Sequence, residues 1–219
     1  MLTRDYIMRM IDTLVKALAK LIFQKDAKNY PEALNELEKI TKEFFGFDRK
    51  LIERVSDAQL ISMISASDTL LPPNCYLLGV LFKEEAEIFE LQKNHEKSLT
   101  QYERSLNLFI EGLKNSPALI EPDHLNKINF VAEKLEDNII SIETEVNLFY
   151  YYELSGKFDK AENLIFDLID YDSAFLEKGI LFFERLLEKP DEIIMMGNLT
   201  RGEVEESILN LKEKLTDRI

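Results

Sequence analysis

The side chains in this sequence that could do chemistry are few. Cys75, the one cysteine, follows Pro72-Pro73-Asn74 at the expected start of a helix. A helix N-terminus lowers a thiol pKa and would make a nucleophile of it. The expected role is the plainer one of a small buried hydrophobe. Glu84, Glu85, Glu87 and Glu90 stand shortly before His95. A general acid–base pair needs one desolvated carboxyl with a raised pKa, whereas these residues spread around a helix surface expected to be exposed. Glu121, Asp123 and His124 could catch a cation; at the start of a helix their carboxylates serve the helix terminus instead. In Phe149-Tyr150-Tyr151-Tyr152, consecutive residues on a helix point in different directions, so no single stacking platform forms. Phe149 and Tyr152 are expected in the core, with Tyr150 or Tyr151 left outside where an interface favours tyrosine. Met8, Met10, Met195 and Met196 are expected to fill core. No nucleophile elbow, phosphate-binding glycine loop or dinucleotide fingerprint is present in a chain with 7 glycines. The expectation is a protein without catalytic activity, cofactor or metal.

The elements that hold these residues are helices. Only 7 glycines and 6 prolines occur in 219 residues, too few turns for a β-rich chain. Hydrophobic residues make up 46 %, enough for a core, and one all-helical domain over 1–219 is expected, with 71–74 as the point of any subdivision. The net charge of −14 repels phosphates and anionic headgroups, so neither nucleic acid nor a membrane surface is an expected partner. A lone cysteine, no secretion signal and no long apolar run place the chain in the cytoplasm.

The pattern of apolar residues predicts helices at 4–25, 31–44, 57–66, 74–92, 95–114, 158–170, 174–188 and 201–217, with a short segment at 48–54. Ser56-Asp57-Ala58-Gln59 and Thr200-Arg201-Gly202-Glu203 read as capping boxes. Leu70-Leu71-Pro72-Pro73 reads as a break, and Ser116-Pro117 and Glu121-Pro122 bracket a loop. Leu125, Ile128, Ala132, Leu135, Ile139, Ile142, Val146 and Phe149 keep a heptad-like seam over 123–155. They belong to one continuous helix, or to two broken near Asp137-Asn138. The helix at 4–25 has an unusually wide apolar face, so it is buried on two sides or meets a second copy of the chain.

A short motif recurs between helices. Lys28-Asn29-Tyr30-Pro31-Glu32-Ala33-Leu34 is echoed by Lys93-Asn94-His95-Glu96-Lys97-Ser98-Leu99 and by Gly156-Lys157-Phe158-Asp159-Lys160-Ala161-Glu162, at spacings of 65 and 63 residues. Each copy reads as the tight turn of an α-hairpin, and recurrent hairpins signal a stacked helical array.

These hairpins resemble tetratricopeptide repeats. Ser98, Tyr102 and Ser105 fit the family's second helix, and Phe82, Ala86 and Phe89 fit its first. Ala161, Ile165 and Leu168 fit the second helix of the third hairpin, where Phe149 replaces the small residue of the first. Ala33, Leu37 and Ile40 fit in the first hairpin, with Gln24 at an aromatic position. The copies stand about twice the family's period apart. The opening Asp5-Tyr6-Ile7-x-Arg9-x-Ile11-x-x-Leu14 also resembles the start of an uncharacterised bacterial family with no assigned activity. The resemblance implies an α–α superhelix of nine or ten helices in stacked antiparallel hairpins. It places Lys83, Glu87 and Glu90, then Glu143, Tyr150 and Glu153, on the inner wall. An acidic groove with an aromatic anchor suits a basic peptide or protein partner. The expected function is therefore an interaction scaffold or adaptor. The alternatives are self-assembly, as a homodimer through residues 4–25, and regulation by a small metabolite held between helices.

Overall fold

The structure, a computed structural model, describes residues 16–65, 71–116 and 122–216. No strand occurs among them. Helix α1 covers 16–26. It is followed by α2 (Tyr30–Phe45), α3 (Arg49–Ile52), α4 (Asp57–Ile64), α5 (Leu71–Leu91), α6 (His95–Asn115) and α7 (Pro122–Leu135). Then come α8 (Ile142–Ser155), α9 (Phe158–Tyr171), a 3-10 turn (Ser173–Phe175), α10 (Leu176–Leu187), α11 (Asp191–Met196) and α12 (Arg201–Thr216). The chain is all-α, with more helices than nine or ten, because α3 and α11 are too short to show a period. Residues 4–15 of the first predicted helix and the loop residues 117–121 lie outside the described residues.

Local chemistry sets these boundaries. Ser56 and Gln59 form the reciprocal capping box, with bonds of 3.2 and 2.9 Å, and Thr200 and Glu203 form the other, with 3.3 and 2.7 Å. Gly46 ends α2 at φ 74°. Pro72 and Pro73 do not break the chain. They sit in the first turn of α5, where a missing N–H has no partner to lose. The Asn74 side chain donates to the Ile64 carbonyl (3.1 Å), tying that turn to the end of α4.

The recurrent motif is one turn used repeatedly. Lys28, Lys93 and Gly156 all take left-handed backbone, with φ of 59°, 60° and 74°. The next residues, Asn29, Asn94 and Lys157, all lie near φ −90°, with ψ of 65°, 78° and 67°. Their amides donate to Gln24, Phe89 and Tyr152 carbonyls at 2.9 Å each, which is the Schellman closure of the preceding helix. Their own carbonyls accept from Ala33, Ser98 and Ala161 and so start the next helix. A fourth turn, unread in the sequence, has Asn198 at φ 61° and Leu199 N–H on the Ile194 carbonyl.

The backbone divides into two compact units, Met1–Asn138 and Ile139–Ile219. In the first, α5 and α6 form the longest hairpin. Phe82, Ala86, Phe89, Ser98, Tyr102 and Ser105 are all buried in it. The two serines do more than save space. Ser98 donates to the Ala86 carbonyl (3.0 Å) and Ser105 to the Gly79 carbonyl (2.8 Å), so small side chains and hydroxyl bonds together hold the backbones close. Leu21, Ala33, Leu37, Ile40 and Leu60 extend this core through α1, α2 and α4. The described part of α1 buries Leu21 but leaves Ile22 and Phe23 exposed.

The second unit pairs α8 with α9 and α10 with α12. Phe149 stacks edge-on against Phe182 with ring centroids 5.2 Å apart, and Ala161, Ile165 and Leu168 are buried as their spacing predicts. Tyr151 joins Phe149 and Tyr152 in the core, leaving Tyr150 half-buried. Met195 and Met196 are a correction: both are exposed, because α11 turns only Ile194 inward.

Of the two readings of the heptad-like seam, the structure shows the one with two helices broken near Asp137-Asn138. Helices α7 and α8 are separate, with Asp137 at φ 62° between them and Ser141 capping α8. Ile139, central to the seam, is 97 % exposed. The break falls where Asp137-Asn138 supply residues that tolerate left-handed backbone.

Candidate functional site

The inner-wall positions expected on α5 do come together, but not as an open acidic surface. Lys25 of α1 reaches both Glu84 and Glu87, and Lys83 bonds Glu84 (3.1 Å) and Glu87. Glu90 accepts from the Tyr102 hydroxyl (2.9 Å) and from Lys134 of α7 (2.6 Å). Both Lys83 and Lys134 lie over the Phe130 ring, at 4.9 and 5.4 Å. Three carboxylates thus meet three ammonium groups. Burial pushes the Glu87 carboxyl up, but the hydrogen bonds from Lys25 and Lys83 outweigh it and hold the group below its ordinary range. Tyr102 is pushed well up by burial and by its bond to Glu90, so it remains a hydroxyl donor. Lys25 and Lys134 supply the balancing charge from far away in sequence. No local pattern around Glu87 or Glu90 carries that information.

The other three positions belong to the second unit. Glu143 is exposed in the first turn of α8, Tyr150 is half-buried, and Glu153 is held by a two-bond pair with Arg185, at 2.7 and 2.8 Å. Burial and the nearby Asp167 push the Glu145 carboxyl up. This unit has twice as many acidic as basic residues, so half of its negative charge is unbalanced.

A small cleft opens in the first unit where α2, α3, α5 and α6 meet, with a cavity volume of about 40 Å³. Apolar side chains wall it, and Arg49, Glu85 and Gln101 line it. Arg49 pairs with Glu85 at 2.8 Å and with Glu53 at 3.1 Å. The Gln101 side-chain oxygen is buried without a hydrogen-bond donor. From sequence alone Glu85 reads as part of an exposed acidic run, and neither Arg49 nor Gln101 stands out. Their only signal is that Glu85 falls on the inward side of α5 between Leu81 and Phe89.

The remaining candidates are scattered. His95 is exposed at the start of α6, and the His124 ring lies tilted against Tyr76 with ring centroids 4.2 Å apart. Glu121 lies outside the described residues. Among those described, no three His, Cys, Asp or Glu side chains are grouped to hold a metal ion, and no helix is long and apolar enough to cross a membrane.

The profile of a family described as "Family of unknown function (DUF6483)" matches residues 1–71 and 59–216. The chain belongs to this family. No match was found among curated proteins or among solved structures. DUF6483 membership therefore brings no catalytic or binding residues to carry over, and it accords with the uncharacterised family suggested by residues 5–14.

In this DUF6483 chain Cys75 is fully buried in the first turn region of α5. Burial, aided by the negative charge of Glu111, pushes its thiol up to about 12. The helix start does not activate it, because desolvation disfavours the thiolate more than the helix terminus favours it. The folded protein is expected to resist a thiol-reactive disulfide reagent at pH 8 and to react only at the rate of its unfolding. An unfolded thiol ionises near pH ~8.5. A folded value above that makes stability fall as pH rises from there toward 12, and Cys75→Ala should flatten the fall. Fast, stoichiometric labelling of the native protein would contradict this account.

Proposed function

We propose that this protein is a non-catalytic interaction scaffold that binds a basic peptide or protein segment, with tetratricopeptide-like stacking of its hairpins as the architecture and the cytoplasm as its location. The observation that carries the reading is the row Glu143, Tyr150 and Glu153 on α8, spaced by seven and three residues on one helix face. Glu143 is exposed, and Arg185 holds Glu153 in a fixed orientation. The surrounding unit is rich in uncompensated carboxylates, which would draw in a cationic partner and set its orientation. Tyrosine offers contact area at low entropic cost. In this reading Lys83, Glu87 and Glu90 respond to a partner only by exchanging Lys25 or Lys134 for incoming basic groups.

Fluorescence anisotropy with a labelled Lys/Arg-rich peptide tests it. Binding should weaken with salt, and Glu143→Lys combined with Tyr150→Ala should weaken it at least about tenfold, or 1.4 kcal/mol. The control, Glu205→Lys with Glu206→Lys, places its charge changes on exposed α12 positions. Equal weakening by both pairs would mean non-specific attraction to an acidic protein and would end the proposal.

A further inference from the structure

A lone exposed apolar side chain needs no explanation, but two exposed surfaces of this chain match each other. On α1, Phe23 is 68 % exposed. Lys16, Ala19 and Lys20 stand seven, four and three residues before it, so the four share one helix face, and all are exposed. Leu21 faces the core on the opposite side, and Lys25 reaches inward to Glu84 and Glu87. Lys20 touches Glu36 of α2 at 2.7 Å, yet half of its side chain stays open to solvent. The one carboxylate of α1, Asp26, is followed by the exposed Lys28. The outer face of α1 is thus an aromatic knob with a surplus of lysine. Within the second unit, α8 and α10 lie side by side, joined by the Phe149–Phe182 ring contact and the two-bond pair of Arg185 with Glu153. Each presents a leucine near that pair. Leu154 follows Glu153 on α8, and Leu181 lies one turn before Arg185 on α10; they are 39 % and 54 % exposed. The same two helices expose Glu143, Glu177, Glu184 and Glu188 against Lys178 and Arg185.

We propose that α1 of one copy of this chain docks on the α8–α10 face of a second copy, with Phe23 seated against Leu154 and Leu181 and with Lys16 and Lys20 among the carboxylates around them. The inference rests on the reading of the α8 face as a binder of basic segments, and it names that segment. Charge complementarity selects the occupant: a lysine-bearing helix meets a unit in which acidic residues outnumber basic ones two to one. The aromatic ring supplies the anchor, since it brings large apolar area at low cost in rotamer entropy. The two surfaces differ, so the contact is head-to-tail. Each copy that uses its α1 still offers a free α8–α10 face, and association continues or closes into a ring. The apolar contact is small, which makes the association transient.

Sedimentation velocity of the full chain, taken up to about 500 μM because small interfaces are weak, tests it. The sedimentation coefficient should rise with concentration, and added salt should reverse the rise. Phe23→Ser removes the knob, and Leu154→Ser with Leu181→Ser removes its seat. Each variant alone should weaken self-association at least tenfold. All three positions are exposed, so the variants should fold, which circular dichroism checks; should one not fold, the other decides. The mixture is the sharpest arm. The Phe23→Ser chain keeps a seat and the double-leucine variant keeps a knob, so together they should form a one-to-one complex and nothing larger. A concentration-independent monomer overturns the proposal. Loss with Phe23→Ser but not with the leucine changes would mean that α1 pairs with its own twin, and that also overturns it. Association that strengthens with salt would mark apolar aggregation and has the same consequence. The Lys/Arg-rich peptide separates the two readings: if it binds the α8 face of a chain that stays monomeric, only this inference falls, and if it does not bind either, both fall.

Discussion

Replacing Arg104 with alanine is expected to destabilise the protein by about 3–5 kcal/mol, the range for breaking a buried, fully bonded ion pair. Arg104 reaches from α6 to the connection between α3 and α4. Its Nε donates to an Asp57 oxygen (2.8 Å), and its two terminal nitrogens donate to the carbonyls of Ile52 (3.0 Å) and Val55 (2.8 Å). The second Asp57 oxygen accepts from Asn107 (2.9 Å), and the guanidinium lies 5.0 Å from the Phe82 ring centroid. The Arg104 and Asp57 side chains are only 11 % and 10 % exposed. Truncation therefore strands a carboxylate and two carbonyls where water reaches poorly, and such stranded groups dominate the cost. Arg104→Lys should recover only a minor part, since one ammonium on a flexible stem cannot match a planar fork bonded on three sides. Asp57→Ala combined with Arg104→Ala should cost clearly less than the two separate losses added, because the double change removes the stranded charge. Urea denaturation reads all three variants. A loss under about 1 kcal/mol for Arg104→Ala, the level of a surface pair, would show that the network carries no such weight.

Nothing in the sequence around Arg104 announces this role, and the reason is general to the molecule. Features written in a few consecutive residues were legible. The turns at Lys28, Lys93 and Gly156 share one backbone path because Lys-Asn, Lys-Asn and Gly-Lys each close a helix and open the next within a few bonds. The two capping boxes are legible for the same reason. The Asn198 turn closes α11 identically, but its next helix starts later, with Val204 N–H on the Thr200 carbonyl, so the small residue expected four places on is missing from the pattern. The seam over 123–155 left one helix or two open for the opposite reason. Heptad spacing records which residues are apolar, not whether the backbone between them stays helical, and Asp137 at φ 62° ends the helix.

The candidate sites divide in the same way. Placing Lys83, Glu87 and Glu90 on one side of α5 required only helical period. Their electrostatic state required Lys25, 59 residues from Glu84, and Lys134, 44 residues from Glu90. A carboxylate on a helix reads as acidic from sequence alone, and only the fold shows whether a lysine from elsewhere cancels it. Gln101 illustrates the limit from the other side. A glutamine on an amphipathic helix looks neutral, and it becomes informative only when its oxygen is found buried and unanswered.

The second large effect is expected at Gly197, where alanine should cost about 3 kcal/mol or more, at or beyond the upper end for overpacking a rigid site. Backbone freedom is not the reason, for Gly197 has an ordinary φ of −90°. Space is the reason. A Cβ there would lie 2.2 Å from a ring carbon of Phe158 and 2.7 Å from the Gly156 carbonyl oxygen. Phe158 is 2 % exposed and has no free side to swing into, and the carbonyl belongs to the α8–α9 turn itself. That contact docks two turns within the second unit. The Gly197 carbonyl accepts from Asp159 N–H (3.0 Å), and the Asn198 side chain bonds Asp159 at 3.0 Å. Gly156 provides the comparison, because it needs its glycine for the opposite reason. Its φ is 74° but its Cβ would meet nothing within 4 Å, so Gly156→Ala should cost only about 1–2 kcal/mol of left-handed backbone strain. Shrinking the ring should relieve only one of the two clashes at Gly197. Phe158→Leu in the Gly197→Ala background should therefore not restore the wild-type melting temperature, since the carbonyl contact remains. Thermal unfolding of the three variants separates the effects. If Gly197→Ala costs no more than Gly156→Ala, the turns yield to a methyl group and the close docking inferred for them is wrong.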